Sequence, residues 1–229
     1  MLEKALDRVS GRVSQALQQR AEQRFAEMID ALILVALQRW AGNNWRTFDD
    51  SEVNCTAQLY RWLKESKRSD ARFNFVHVEL EYVNLTPAML VGDEPVTTAA
   101  RPDLCFTIGH VGVHVECKRL QAHGAWCRDY VQKGMARFVD SVYGAGSPLG
   151  VMVGYVQQPA PDGLLGAVNG YVETHPSMGS DHRLVATQPA PFGLRHRSHH
   201  PRNPDIPIEL SHIWVGISKP APQPAPVQA

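Results

Sequence analysis

The chain has 229 residues, 44% apolar and 20% charged, enough for one generous domain with a sizeable core and too apolar for wholesale disorder. Lys and Arg number 23, as do Asp and Glu, which excludes a chain-wide electrostatic grip on nucleic acid and leaves a local basic groove as the only electrostatic route to it. The most apolar run, residues 28 to 37, is interrupted by Asp30 and is about half of the roughly 20 residues a spanning helix needs, so no membrane partner is expected.

Residues 2 to about 40 carry Leu2, Leu6, Val9, Val13 and Leu17, then Phe25, Met28, Ile29, Leu32 and Val35, at helical spacing. Two readings stand for this N-terminal helical extension (1–40): packing on its own domain, or oligomerisation. A second helix is expected from Asp50-Ser51, either of which can cap it, to about Lys67. Residues 75 to 82 alternate as a strand, and 84 to 101 form a polar loop with Pro87, Gly92 and Pro95. Two short strands, 104–108 and 111–117, flank Gly109-His110. A helix over 128–143, a buried strand over 150–156, a weak helix over 162–174 and late strands over 184–187 and 209–217 follow. Residues 219–229 are a Pro/Ala tail, expected to be extended and disordered. Cys55, Cys105, Cys117 and Cys127 show no CxxC spacing and read as reduced thiols of a cytoplasmic protein. Glu3, Asp7, Arg8 and Arg12 argue against a signal peptide.

The chemistry lies in residues 101 to 118. With Gly109-His110 as a two-residue turn, Ile108 faces Val111, Phe106 faces Val113 and Leu104 faces Val115, one apolar face. The other face sets Cys105 against His114 and Asp103 against Glu116, with Lys118 two residues further along. Opposed like charges destabilise a hairpin by up to about 1 kcal/mol. A divalent cation removes that objection, since Mg²⁺ commonly takes one or two carboxylates plus water and phosphate. Lys118 would then orient the water or stabilise charge on a phosphate.

Pro102-Asp103 followed by Glu116-Cys117-Lys118 on the next strand resembles the PD-(D/E)xK nuclease superfamily. The resemblance covers roughly residues 50 to 156. It implies an α/β, restriction-endonuclease-like fold, a mixed central sheet flanked by helices, here over 41–218. It further implies that Asp103, Glu116 and the Cys117 backbone carbonyl hold Mg²⁺, with Mn²⁺ as substitute, and that Lys118 assists the attacking water. Glu52 matches the acid such enzymes carry on the preceding helix, as a further catalytic residue and metal ligand. Gln132 matches their glutamine on the following one, with Lys133 or Arg137 as phosphate contacts. His114 shares the face of Glu116, either as a structural neighbour or as part of the site.

A second cluster, residues 193 to 202, holds Arg195, Arg197, His199 and Arg202 among other His and Arg residues. It is expected to be a loop facing phosphate, a solvated loop being the plainer reading. Zinc ligation is disfavoured because no cysteine or acid lies close by. The expected activity is metal-dependent phosphodiester hydrolysis, DNA favoured over RNA and endonuclease over exonuclease, in a bacterial restriction or anti-phage defence effector. Such a protein would act as a homo-oligomer or with a partner subunit. The rivals are a non-catalytic nucleic-acid-binding or scaffold subunit and a metal-dependent RNase on the same fold.

Overall fold

The computed structural model describes residues 15–83, 87–109, 111–122, 125–157, 163–187 and 192–217. The first fourteen residues and the expected Pro/Ala tail lie outside the described residues. Seven strands form one mixed sheet in the order β1-β2-β3-β4-β7-β6-β5. They are β1 His77–Leu80, β2 Leu104–Ile108, β3 Val111–Leu120, β4 Leu149–Val156, β5 Val185–Ala186, β6 Leu194–His200 and β7 Ile208–Gly216. The β1–β2 and β2–β3 pairs are antiparallel, β3–β4 and β4–β7 are parallel, and β7–β6 and β6–β5 are antiparallel.

Side-chain alternation sends the two faces of this sheet into two cores. On one face Val113, Val115, Cys117, Val151, Val153, Tyr155, Ile213 and Val215 pack with helices α1 (Gln15–Gly42) and α2 (Glu52–Ser69). On the other, Leu120, Met152, Val156, Leu210 and Trp214 pack against the helical segment after β3 and against α6 (Leu164–Glu173). In α1, Phe25, Ile29, Leu32, Ile33, Ala36, Leu37 and Trp40 follow helical spacing and are buried in the first core. This portion of α1 is therefore part of the domain, and a boundary at residue 40 would cut through one core. Ser51 caps α2, its side chain accepting from the Asn54 N–H at 3.4 Å.

Four local expectations change. The first strand is only four residues long. The stretch expected to be a loop contains α3 (Pro87–Val91) and a short 3₁₀ turn, Val96–Thr98. The helix after β3 is built from α4 (Trp126–Asp129), a π-helical segment Tyr130–Met135 and α5 (Ala136–Val139). A side-chain carbon at Gly134, inside the π segment, would stand 2.6 Å from Met152 Cε on β4 and at an ordinary 3.5 Å from Lys118 Cγ on β3, so the glycine seats this helix closely over Met152. The segment from 193 to 202 is not a loop. It is mostly strand β6, entered through Gly193, whose φ of +114° and 2.0 Å spacing between a would-be Cβ and the Trp214 carbonyl oxygen demand glycine.

All four cysteines are free and buried. No helix among the described residues is long and apolar enough to cross a membrane.

Candidate active site

The hairpin register is the expected one: Leu104 opposes Val115, Cys105 His114, Phe106 Val113, Thr107 Gly112 and Ile108 Val111. Gly109 supplies the positive φ of the turn (58°), while His110 lies outside the described residues. Continuing the register by one residue sets Asp103 against Glu116. Asp103 stands just ahead of β2 and is held from both sides. Its carbonyl accepts the Glu81 N–H at 2.9 Å, and its Oδ2 accepts the Cys117 N–H at 2.7 Å.

Lys118 is the centre of the cluster. Its Nζ donates to Glu52 Oε1 at 2.8 Å and to the Cys117 carbonyl at 2.9 Å, and it lies 2.8 Å from Glu116 Oε1. Glu52, the first residue of α2, also accepts the Arg119 N–H through Oε2 at 3.2 Å. The N-terminus of α2 is thereby tied to the end of β3, a contact spanning 66 residues of sequence between Glu52 and Lys118. Glu116 is 1% exposed, and its Oε1 also accepts from Arg137 of α5 at 3.1 Å. Arg137 donates in turn to the Tyr143 hydroxyl at 2.5 Å, and that hydroxyl donates to the Arg101 carbonyl at 2.9 Å.

The electrostatics follow from crowding acids in a desolvated place. Burial, then the Asp103 charge, pushes the Glu116 carboxyl up to about 7. Burial also raises Asp103, against the pull of Lys118 and the Cys117 N–H. For Lys118 burial works downward, but Glu116, Glu52 and Asp103 outweigh it and hold the ammonium above its ordinary value. Arg137 is raised in the same way, the Glu116 charge outweighing burial.

Among the described residues no group of three or more His, Cys, Asp or Glu side chains converges as a metal centre. The donor chemistry nonetheless fits a hard divalent cation. Glu116 Oε2 is buried with no hydrogen-bond partner, and two carboxylates with a main-chain carbonyl, completed by water, are sufficient for Mg²⁺.

Of the residues singled out in the sequence, Asp103, Glu116, Cys117, Lys118, Glu52 and Arg137 come together. Gln132 does not: it is exposed on the π segment and makes no hydrogen bond to the cluster. Lys133 is exposed and paired with Asp129 at 2.8 Å, one helical turn away. His114 packs edge-on to Tyr143, with ring centroids 5.9 Å apart.

The basic cluster is a correction. Strand β6 lies three strands from β3, about 14 Å at the usual strand spacing. Arg195 is bound to Asp30 of α1 at 2.5 Å and Arg197 to Glu209 at 3.3 Å, while His199 is exposed. Arg202 is buried and donates to the main-chain carbonyls of Phe138, Gly144, Ala145, Ser147 and Ile206 at 2.7–3.3 Å. It fastens the loop between α5 and β4, its guanidinium nitrogens committed to main-chain carbonyls. Phosphate-facing arginines and structural ones look alike in sequence. Strand alternation turns His196, Ser198 and His200 inward, but it does not tell one kind of arginine from the other.

Tyr143 was not singled out from sequence, and no local motif marks it. Its role depends on Arg101 and Arg137, which only the folded chain brings together. Compared with known proteins, the chain matches no family model, no curated protein and no solved structure.

Proposed function

We propose that the protein is a Mg²⁺-dependent nuclease of the restriction-endonuclease-like fold, acting on DNA. The carrying observation is the Lys118 ammonium held between Glu116 and Glu52 beside the Asp103 carboxylate. The order α2, β1-β2-β3 meander, α4–α5, and β4 parallel to β3 supports the same fold assignment. Asp103 and Glu116 would hold the cation, with the Cys117 carbonyl as a further donor. When bound, such a cation supplies an activated water and polarises a scissile phosphate.

The chain's own residues have distinct tasks in this reading. Lys118 orients the attacking water and meets developing negative charge on the phosphate. Glu52 aims the Lys118 ammonium. Arg137 keeps Glu116 in place from the opposite side, and Tyr143 holds Arg137. Gln132 and Lys133, exposed on the helix after β3, are assigned to substrate contact only, not to the acid cluster.

The test is to incubate purified protein with plasmid, single-stranded DNA and RNA, in Mg²⁺ or EDTA. DNA hydrolysis that EDTA stops, and that Lys118→Ala reduces by at least about 10²-fold, is the expected result. Hydrolysis of RNA alone reassigns the substrate. Intact substrate in all three Mg²⁺ reactions removes the catalytic reading and leaves a non-catalytic nucleic-acid-binding or scaffold subunit.

A further inference from the structure

We infer that the Lys118 ammonium is the internal occupant of the cation position in the metal-free protein, and that a divalent cation enters by displacing it. This rests on the cation reading above and assigns Lys118 a second task at the same site.

An ammonium has three N–H donors. Those of Lys118 face three oxygens at 2.8, 2.8 and 2.9 Å: Glu52 Oε1, Glu116 Oε1 and the Cys117 carbonyl. Two of the three, Glu116 Oε1 and the Cys117 carbonyl, belong to the donor set proposed for the metal. The amine therefore neutralises carboxylates that would otherwise repel one another, and it keeps the donors converged before any metal arrives. A divalent cation and an ammonium cannot share those oxygens, because both require them at contact distance and like charges repel. The two side chains that face Glu116 Oε1 differ in freedom. Arg137 is anchored by the Tyr143 hydroxyl. Lys118 hangs on a flexible four-carbon stem, so it is the one that moves. Glu116 Oε2, buried without a partner, is an acceptor that Lys118 leaves unfilled and that serves the cation once the amine has moved. Displacement also frees the ammonium to meet phosphate, so cation loading and substrate grip become one event.

Two measurements test this. The first uses the wild-type chain: acetylation by an amine-reactive ester, mapped by mass spectrometry, in EDTA and in saturating Mg²⁺, with exposed Lys133 as internal reference. Lys118 is expected to be protected in EDTA and to label at least about five-fold faster with Mg²⁺. The second is calorimetric titration of Mn²⁺ into wild type and Lys118→Met, where the variant is expected to bind at least about ten-fold more tightly. Cation binding with unchanged Lys118 labelling, or weaker binding by the variant, overturns the displacement and leaves the nuclease reading standing. Failure of the wild-type chain to bind Mg²⁺ or Mn²⁺ at all overturns both.

Discussion

The Asp103 carboxylate accepts the Cys117 backbone N–H at 2.7 Å, so a side chain just ahead of β2 continues the ladder of β3. That bond fixes one acid of the pair while the main chain of β3 presents the other, Glu116. Replacing Asp103→Asn preserves an oxygen for the N–H but removes the charge. The expected outcome is a folded protein, by circular dichroism, whose Mg²⁺-dependent cleavage falls at least about 10²-fold. Cleavage at the parental rate would remove Asp103 from the site.

Glu116 and the buried histidines make opposite contributions to pH-dependent stability. The Glu116 carboxyl, raised from 4.5 to about 7, binds its proton more tightly in the folded than in the unfolded chain. Its stabilisation is complete below pH 4.5 and is lost as pH rises through about 7. Burial depresses His196 from 6.5 to about 4 and His200 to about 3. Their stabilisation is present above pH 6.5 and lost as pH falls toward those values. Glu116→Gln cancels only the first effect. The melting temperature of the variant, less that of wild type, should rise steadily between pH 4.5 and 8. A difference independent of pH contradicts the Glu116 assignment.

Tyr143 joins the Pro102-Asp103 arm to Glu116 through Arg137. Tyr143→Phe keeps the buried ring and deletes the hydroxyl, leaving the Arg101 carbonyl and one Arg137 donor short of a partner. A loss of roughly 1–2 kcal/mol in denaturant unfolding is expected, together with a several-fold slower cleavage. Unaltered cleavage confines Tyr143 to a structural role.

Arg202 spends its donors on main-chain carbonyls, so its removal should act on stability alone. Arg202→Ala is expected to lose roughly 3 kcal/mol in urea unfolding, since buried acceptors are left unpaired. The salt dependence of DNA binding, measured on the fraction that remains folded, should keep its slope. A shallower slope would return Arg202 to the nucleic-acid surface.

What residues 101 to 118 reveal by themselves is substantial, because a hairpin is a local object. Period-two alternation and a glycine turn determine which side chains oppose one another, and the Leu104–Val115 and Cys105–His114 pairs follow from that alone. The apolar stripe of α1 is legible in the same way, while the cap of α2 is narrowed to Asp50 or Ser51 and only the fold selects Ser51. Between residues distant in sequence the pattern is silent. Glu52 fits the acid expected ahead of the hairpin, yet its 2.8 Å contact with Lys118 exists only because α2 packs across the sheet. Arg195 and Arg202 carry the same charge and sit in the same run. One meets Asp30 on α1 and the other a loop 55 to 64 residues earlier. His196, Ser198, His200 and His212 likewise turn out to be interior, Ser198 bridging His200 and His212 at 2.7 and 2.8 Å. Alternation dictates the face a residue takes, but what covers that face is settled by chain closure over long distances, and the partner it supplies decides whether a cation grips phosphate or buttresses the fold.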